Sequence, residues 1–182
     1  MLPLIIVLAI VAIIILWFIN TQRSLVHMDE NINNAMSQIG VQMSSRWDAL
    51  TSLLDLTKGY AEHEYNTLMK TVEMRRQLNG KSTPEDVKNQ ENMITETLGK
   101  IMAVAESYPD LKANQNYIVM MNSVNEYENM VRQSRLIYND SVTKLNREIR
   151  MFPTVFIANM LGFTQRQYLE TDSGKTDMPN LK

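Results

Sequence analysis

Hydrophobic positions divide the chain into one solid apolar block followed by a long series of helical stripes. Leu2 to Ile19 reads LPLIIVLAIVAIIILWFI, about 18 residues without a charge, which at ~1.5 Å per residue just cross a hydrocarbon core. A cleavable signal would place basic residues before a shorter run and small residues at a cleavage site. Here no Lys or Arg precedes the run, which exits through Trp17, Phe18, Ile19 and Asn20, so the block predicts an uncleaved transmembrane anchor over residues 1–20. Leu4, Ile5, Leu8, Ile13 and Leu16 carry the anchor, and Trp17 and Phe18 stand where an aromatic belt lies. Arg23 is the only basic residue close to either flank, and on the positive-inside rule it places the bulk of the chain in the cytoplasm. The small pair Ala9 and Ala12 lacks the GxxxG spacing of tight transmembrane dimers.

Beyond Asn20 the apolar positions Leu25, Met28, Ile32, Met36, Ile39, Met43, Trp47, Leu50 and Leu54 recur every three or four residues, a period near 3.67 that draws one nearly straight stripe along a helix. A second set, from Leu53 through Tyr60 and Leu68 to Leu78, ends at Asn79-Gly80-Lys81-Ser82-Thr83-Pro84, a cluster of turn residues. Residues 21–78 are compatible with one very long helix or with two joined near residues 48–52, where Asp48 and Ser52 offer caps. Thr83 as N-cap, Pro84 at the first helical position and Asp86 in the first turn start the next helix, which buries Val87, Ile94, Leu98, Ile101 and Ala105 and ends near Ser107. After Tyr108-Pro109-Asp110, with Asp110 as the simplest cap, Tyr117, Met121, Val124, Val131, Tyr138, Val142, Leu145 and Ile149 mark a last helix reaching Phe152-Pro153. No segment alternates strictly as a half-buried strand does, so the expected class is all-α.

Composition narrows the chemistry. A formal net charge of −2 with 21% charged residues leaves no electrostatic footprint for nucleic acid. The absence of cysteine removes disulfides, thiolate nucleophiles and Cys-ligated zinc. Fourteen methionines suit the filling of an irregular core, since most fall at helix-periodic positions. Glu62-His63-Glu64 invites a metal reading, but successive helical residues point about 100° apart, and the HExxH pattern needs His where Thr67 stands; a solvated face with local ion pairs is the expectation. His27, near Asp29 and Glu30, makes no site alone. On the last helix Glu128, Arg132, Arg135, Asn139 and Asn146 are spaced so that part of the set faces inward. A structural polar network follows, with Glu128 pairing Arg132 or Arg135 and fixing helix register. No catalytic residue, metal site, cofactor or small-molecule substrate is expected, since no acid, base or nucleophile partners these groups.

A series of short motifs then carries a family resemblance. They are Ser37-Gln38-Ile39 with Val41-Gln42, Arg46-Trp47-Asp48, Lys58-Gly59-Tyr60-Ala61-Glu62-His63-Glu64, and Leu98-Gly99-Lys100 with Ala103 to Asn114, which includes the run YPDLKAN. Glu128, Arg135, Tyr138-Asn139, Val142, Asn146, Ile149, Phe152-Pro153 and Gly162-Phe163 follow in order. Over about residues 30–170 the chain resembles the LemA family of bacterial membrane-anchored helical proteins. The resemblance implies a long antiparallel up-and-down four-helix bundle over residues 21–152, with helices of about Thr21 to Asp48, Thr51 to Leu78, Glu85 to Ser107 and Leu111 to Met151. The family usually has Pro-Asn after the Arg-Trp-Asp motif; Thr51-Ser52 stands in that place here, so the break loses its strongest marker.

One apolar piece lies outside these stripes. Residues 153–163, preceded by Met151 and Phe152, read PTVFIANMLGF without a charge, and Phe152, Phe156, Ile157, Met160, Leu161 and Phe163 are too many for one buried stripe. The plain reading is a short helix capping the bundle. The parity of an anchor plus four alternating helices returns the chain to the bilayer, so the piece is also placed to touch lipid or a neighbouring subunit. Residues 164–182 are expected as a polar, disordered tail, above all beyond Glu170. The functional expectation is a non-enzymatic membrane scaffold, self-assembling as a homo-oligomer through its coiled-coil-like stripe, with the bilayer and other membrane proteins as partners. An adaptor or sensor for an envelope protease or stress pathway has the same sequence signature, and the resemblance implies membrane organisation and envelope processes.

Overall fold

The computed structural model describes residues 2–170, and within them every regular element is helical. Helix α1 (Leu2–Asp55) runs 54 residues without interruption, about 80 Å at 1.5 Å per residue. The apolar anchor and the first helix of the water-exposed domain are therefore one rod. The stripe read from the sequence is its inner face: Leu25, Ile32, Met36, Ile39, Met43, Trp47, Leu50 and Leu54 are all buried, and Met28 packs half-buried against the same core.

The break expected near residues 48–52 is absent. Thr51 Oγ1 donates to the Trp47 carbonyl at 2.8 Å and Ser52 Oγ to the Asp48 carbonyl at 3.0 Å, so both hydroxyls fold back onto the helix instead of capping a new one. The chain turns six residues later. The amide and hydroxyl of Thr57 both reach the Leu54 carbonyl, at 2.9 and 2.7 Å, and the amides of Tyr60 and Ala61 return to the Thr57 carbonyl. Helix α2 (Glu62–Glu73) follows, with Glu62 and Glu64 in its first turn and Lys70 in its last, each complementing the helix dipole.

The second leg, expected to be helical to Leu78, stops at Glu73; residues 75–79 are extended. Two glycines make this close approach possible. A Cβ on Gly40 would stand 2.5 Å from the Leu78 carbonyl oxygen, and one on Gly80 would stand 2.8 Å from that of Asn33; both neighbours are backbone and cannot swing away. Side chains complete the seam: Arg75 reaches Asp48 at 2.6 Å, and Gln90 Oε1 accepts from both Trp47 Nε1 at 3.0 Å and the Arg76 amide at 3.2 Å.

Helix α3 (Pro84–Ser107) begins as expected, with Thr83 and Asp86 forming a reciprocal capping box and Pro84 at the first position. The hydrogen bonds from Thr83 hold the Asp86 carboxyl below the usual carboxylate range. Asp110, expected to cap the last helix, lies instead in the single turn α4 (Pro109–Lys112), and Asn114 caps α5 (Gln115–Glu148) by accepting from the Asn116 amide at 2.8 Å. A short helix α6 (Thr154–Met160) closes the series.

α1 packs chiefly on α5 and more lightly on α2, α3 and α6. The main pair is antiparallel: Arg46 lies against Glu128, while nearer the anchor Met28 and Ala35 share a groove with Ile137 and Lys144. The all-helical class expected from the sequence is present, but a clean antiparallel four-helix bundle is not evident in this packing, because the second leg is a 12-residue helix with an extended run and α1 packs mainly on α5.

Candidate functional site

Three features are the candidates for a functional site. The first is the anchor. Leu4, Ile5, Leu8, Ile13 and Leu16 are exposed around the whole circumference of α1, Trp17 and Ile19 are less so, and Phe18 rests against the core. An exposed apolar rod of this length is unstable in water and matched to a bilayer. Among the described residues it is the one helix long and apolar enough to cross a membrane. Burial inside the domain begins at Leu25.

The second is the apolar piece after α5. Extending the register set by Arg46 and Glu128 with equal rise in both helices places Glu148 level with about residue 26 of α1. On that register the chain arrives within about two turns of where the anchor ends, and α6 packs on α1. Thr154, Ile157 and Ala158 face inward, and Phe163 packs half-buried against the core. Phe152, Phe156 and Met160 face outward at 80%, 67% and 65% exposure, joined by Met151 and Leu161. The Phe152 and Phe156 rings meet edge-to-face at 6.0 Å. The residues singled out in sequence therefore divide into Ile157 and Phe163 as supports and Phe152, Phe156, Met160 and Leu161 as an open apolar face.

The third is a polar seam on α5. Glu128 accepts from Arg46 Nη2 at 2.9 Å, and Arg46, only 4% exposed, has no partner for its Nε among the described residues. Burial pushes the Arg46 guanidinium below its usual pKa, against the pull of Glu128 and Glu91. Arg135 Nη1 donates to both carboxylate oxygens of Glu91 on α3 at 2.9 Å. Arg132 points outward and donates to Asn129. The partners supplied by other helices, Arg46 and Glu91, were missed by reading α5 alone. Arg46 was findable, because it stands at stripe spacing between Met43 and Leu50.

The remaining members of the set bind chain expected to be loose. Residues 163–170 lie extended along α5. Asn146 Nδ2 donates to the Arg166 carbonyl at 2.9 Å while its Oδ1 accepts from the Arg166 amide at 2.8 Å, and Asn139 forms the same double pair with Leu169, both bonds at 2.9 Å. Tyr138 OH donates to the Gln167 carbonyl at 3.0 Å and Arg135 to that of Glu170. Leu169 is buried in the core, and Arg166 bridges to Asp29 of α1 at 2.7 Å. The expectation of a disordered tail is thus corrected for residues 164–170; a polar composition did not reveal a segment gripped by its backbone. Residues 171–182 lie outside the described residues.

At the opposite end His63 and Glu64 line an open groove of about 530 Å³ with Ala61, Leu68, Val104 and Tyr108. Among the described residues no group of three or more His, Asp or Glu side chains is placed to hold a metal ion. An apolar membrane-spanning helix continuing into an all-helical domain defines a single-pass, membrane-associated protein.

The chain belongs to the LemA family: the family profile matches residues 35–182. Protein LemA of Metamycoplasma hominis is 28% identical over 148 residues, covering 79% of this chain and 66% of that protein. Magnetosome protein MamQ 2 of Paramagnetospirillum magneticum is 34% identical over 73 residues, covering 40% of this chain and 27% of the relative. Magnetosome protein MamQ of Magnetospirillum gryphiswaldense is 31% identical over 80 residues, covering 43% and 29%. The matches thus span about two thirds of the length of the first relative and under a third of the other two.

Proposed function

We propose that this protein is a non-enzymatic helical scaffold that self-assembles at the membrane and takes part in membrane or envelope organisation. The observation that carries the reading is the second apolar face. Phe152, Phe156, Met160 and Leu161 open outward beside the point where α1 leaves the bilayer, so the molecule meets the membrane at two places instead of hanging from one. A rod with no hinge between anchor and domain, braced by a second contact, holds a fixed attitude to the membrane. Copies confined to two dimensions at a common attitude meet at high effective concentration and in few orientations. The domain lies on the cytoplasmic side in this reading, from Arg23 at the end of the anchor. The polar seam from Arg46 to Arg135 acts as a register lock between α1, α3 and α5, since its groups face one another and not a cavity. The partial likeness to magnetosome proteins is compatible with a structural role.

The particle extracted in mild detergent tests the proposal. Full-length protein of 21.0 kDa is expected to sediment as a uniform complex several times the mass of one chain. A monomer would contradict self-assembly and favour the adaptor reading.

A further inference from the structure

The double hydrogen bonds from Asn139 and Asn146 are the geometry of a sheet edge built from side chains. Each carboxamide presents one donor and one acceptor to the amide and carbonyl of a single residue, Leu169 or Arg166. Tyr138 and Arg135 add donors to the carbonyls of Gln167 and Glu170. Four side chains spread over about three helical turns thus read the backbone of an extended peptide, much as an exposed strand receives an added one. Side-chain selection rests on two positions, Leu169 entering the core and Arg166 meeting Asp29.

From this we infer that the α5 face is a peptide-binding site whose ligand is the 163–170 segment of a second copy of this chain, exchanged between neighbours at the membrane. The inference rests on the self-assembly proposed above. Three features point to that occupant. The site is addressed through the backbone, so an identical segment from another copy makes every bond the resident one makes. The segment leaves α6 through Gly162, whose φ of +77° is a conformation glycine takes freely, so the chain changes direction just before residue 163. Arg166 and Leu169 fit Asp29 and the core pocket, a pairing that a second copy carries by construction. Exchange of an identical element joins copies without any new contact, at little thermodynamic cost.

Because the chain has no cysteine, thiol cross-linking is clean. Thr143 and Tyr168 are both exposed and their hydroxyls meet at 3.4 Å across the docked segment. Full-length Thr143→Cys and Tyr168→Cys variants are mixed in vesicles and treated with a thiol-reactive linker about as long as a tyrosine side chain. Exchange predicts a mixed dimer at roughly tenfold or more the yield of a Lys58→Cys and Tyr168→Cys pair, because docking holds the thiols together whereas collision does not. Adding Asn139→Ala to the Thr143→Cys chain is expected to bring the yield down to that background. The doubly substituted Thr143→Cys/Tyr168→Cys chain reports whether the segment docks at all. If it links within single chains while the mixed pair stays at background, exchange is overturned. Particle size then separates the two ideas: a large complex without mixed linking leaves self-assembly standing, and a monomer removes both.

Discussion

Replacing Trp47 by Ala is expected to cost about 3–5 kcal/mol, the range for deleting a large buried aromatic side chain, and so to consume much of the ~5–15 kcal/mol that stabilises a domain of this kind. Trp47 is the largest fully buried side chain. It lies where α1, α3 and the extended run 75–79 converge, and its indole N–H donates to Gln90 Oε1, which also accepts from the Arg76 amide. Truncation opens a cavity where three chain segments meet on a shared side chain. Trp47→Phe helps separate the effects, since it keeps most of the apolar volume while removing the hydrogen bond, itself about 1 kcal/mol. Urea unfolding of the detergent-solubilised protein, followed by circular dichroism, measures both variants. Similar losses for the two would place the stability in the hydrogen bond and not in packing.

Glu128→Ala is expected to destabilise by about 2–3 kcal/mol, below the 3–5 typical of breaking a buried pair because the Glu128 side chain is 40% exposed. The loss comes from the partner left behind. Arg46 stays sealed between helices with its Nε already unpartnered among the described residues, and burial already disfavours its charged form. The double substitution Arg46→Met with Glu128→Leu removes the charge together with its counter-ion. It is expected to fall within about 1 kcal/mol of the parent, since apolar replacement of such pairs is often neutral or stabilising. The same urea titrations decide the matter. A double variant as unstable as Glu128→Ala alone would mean that the seam contributes net stability beyond cancelling its own desolvation.

The sequence made these features legible to different depths, for physical reasons. The anchor and the α1 stripe were plain because a bilayer and a helix–helix interface each impose a pattern many residues long. The start of α3 was plain because Thr83, Pro84 and Asp86 each satisfy a requirement of the first turn. The end of α1 was misplaced because hydroxyls at 51 and 52 can either cap a helix or bond back to it, and a local string does not say which. Here the unbroken stripe was the better guide through residues 48–55, although it overshot, since α1 ends at Asp55 and not at Leu78. The extended run 75–79 depends on the backbone fitting against Gly40, 38 residues away from Leu78, which no helical periodicity records. The docked segment escaped notice because α5 holds it mainly through main-chain groups that every residue possesses, so its composition carries almost no trace of the binding.

In the proposed function, α6 meets the bilayer beside the anchor and braces the rod. Phe156→Cys in otherwise unaltered full-length protein, labelled with an environment-sensitive dye and reconstituted into vesicles containing lipid-borne quenchers, tests this directly. Strong quenching and a blue-shifted emission are expected at position 156, against no quenching at Lys58→Cys in the far turn. Identical, water-like emission at both positions would contradict it.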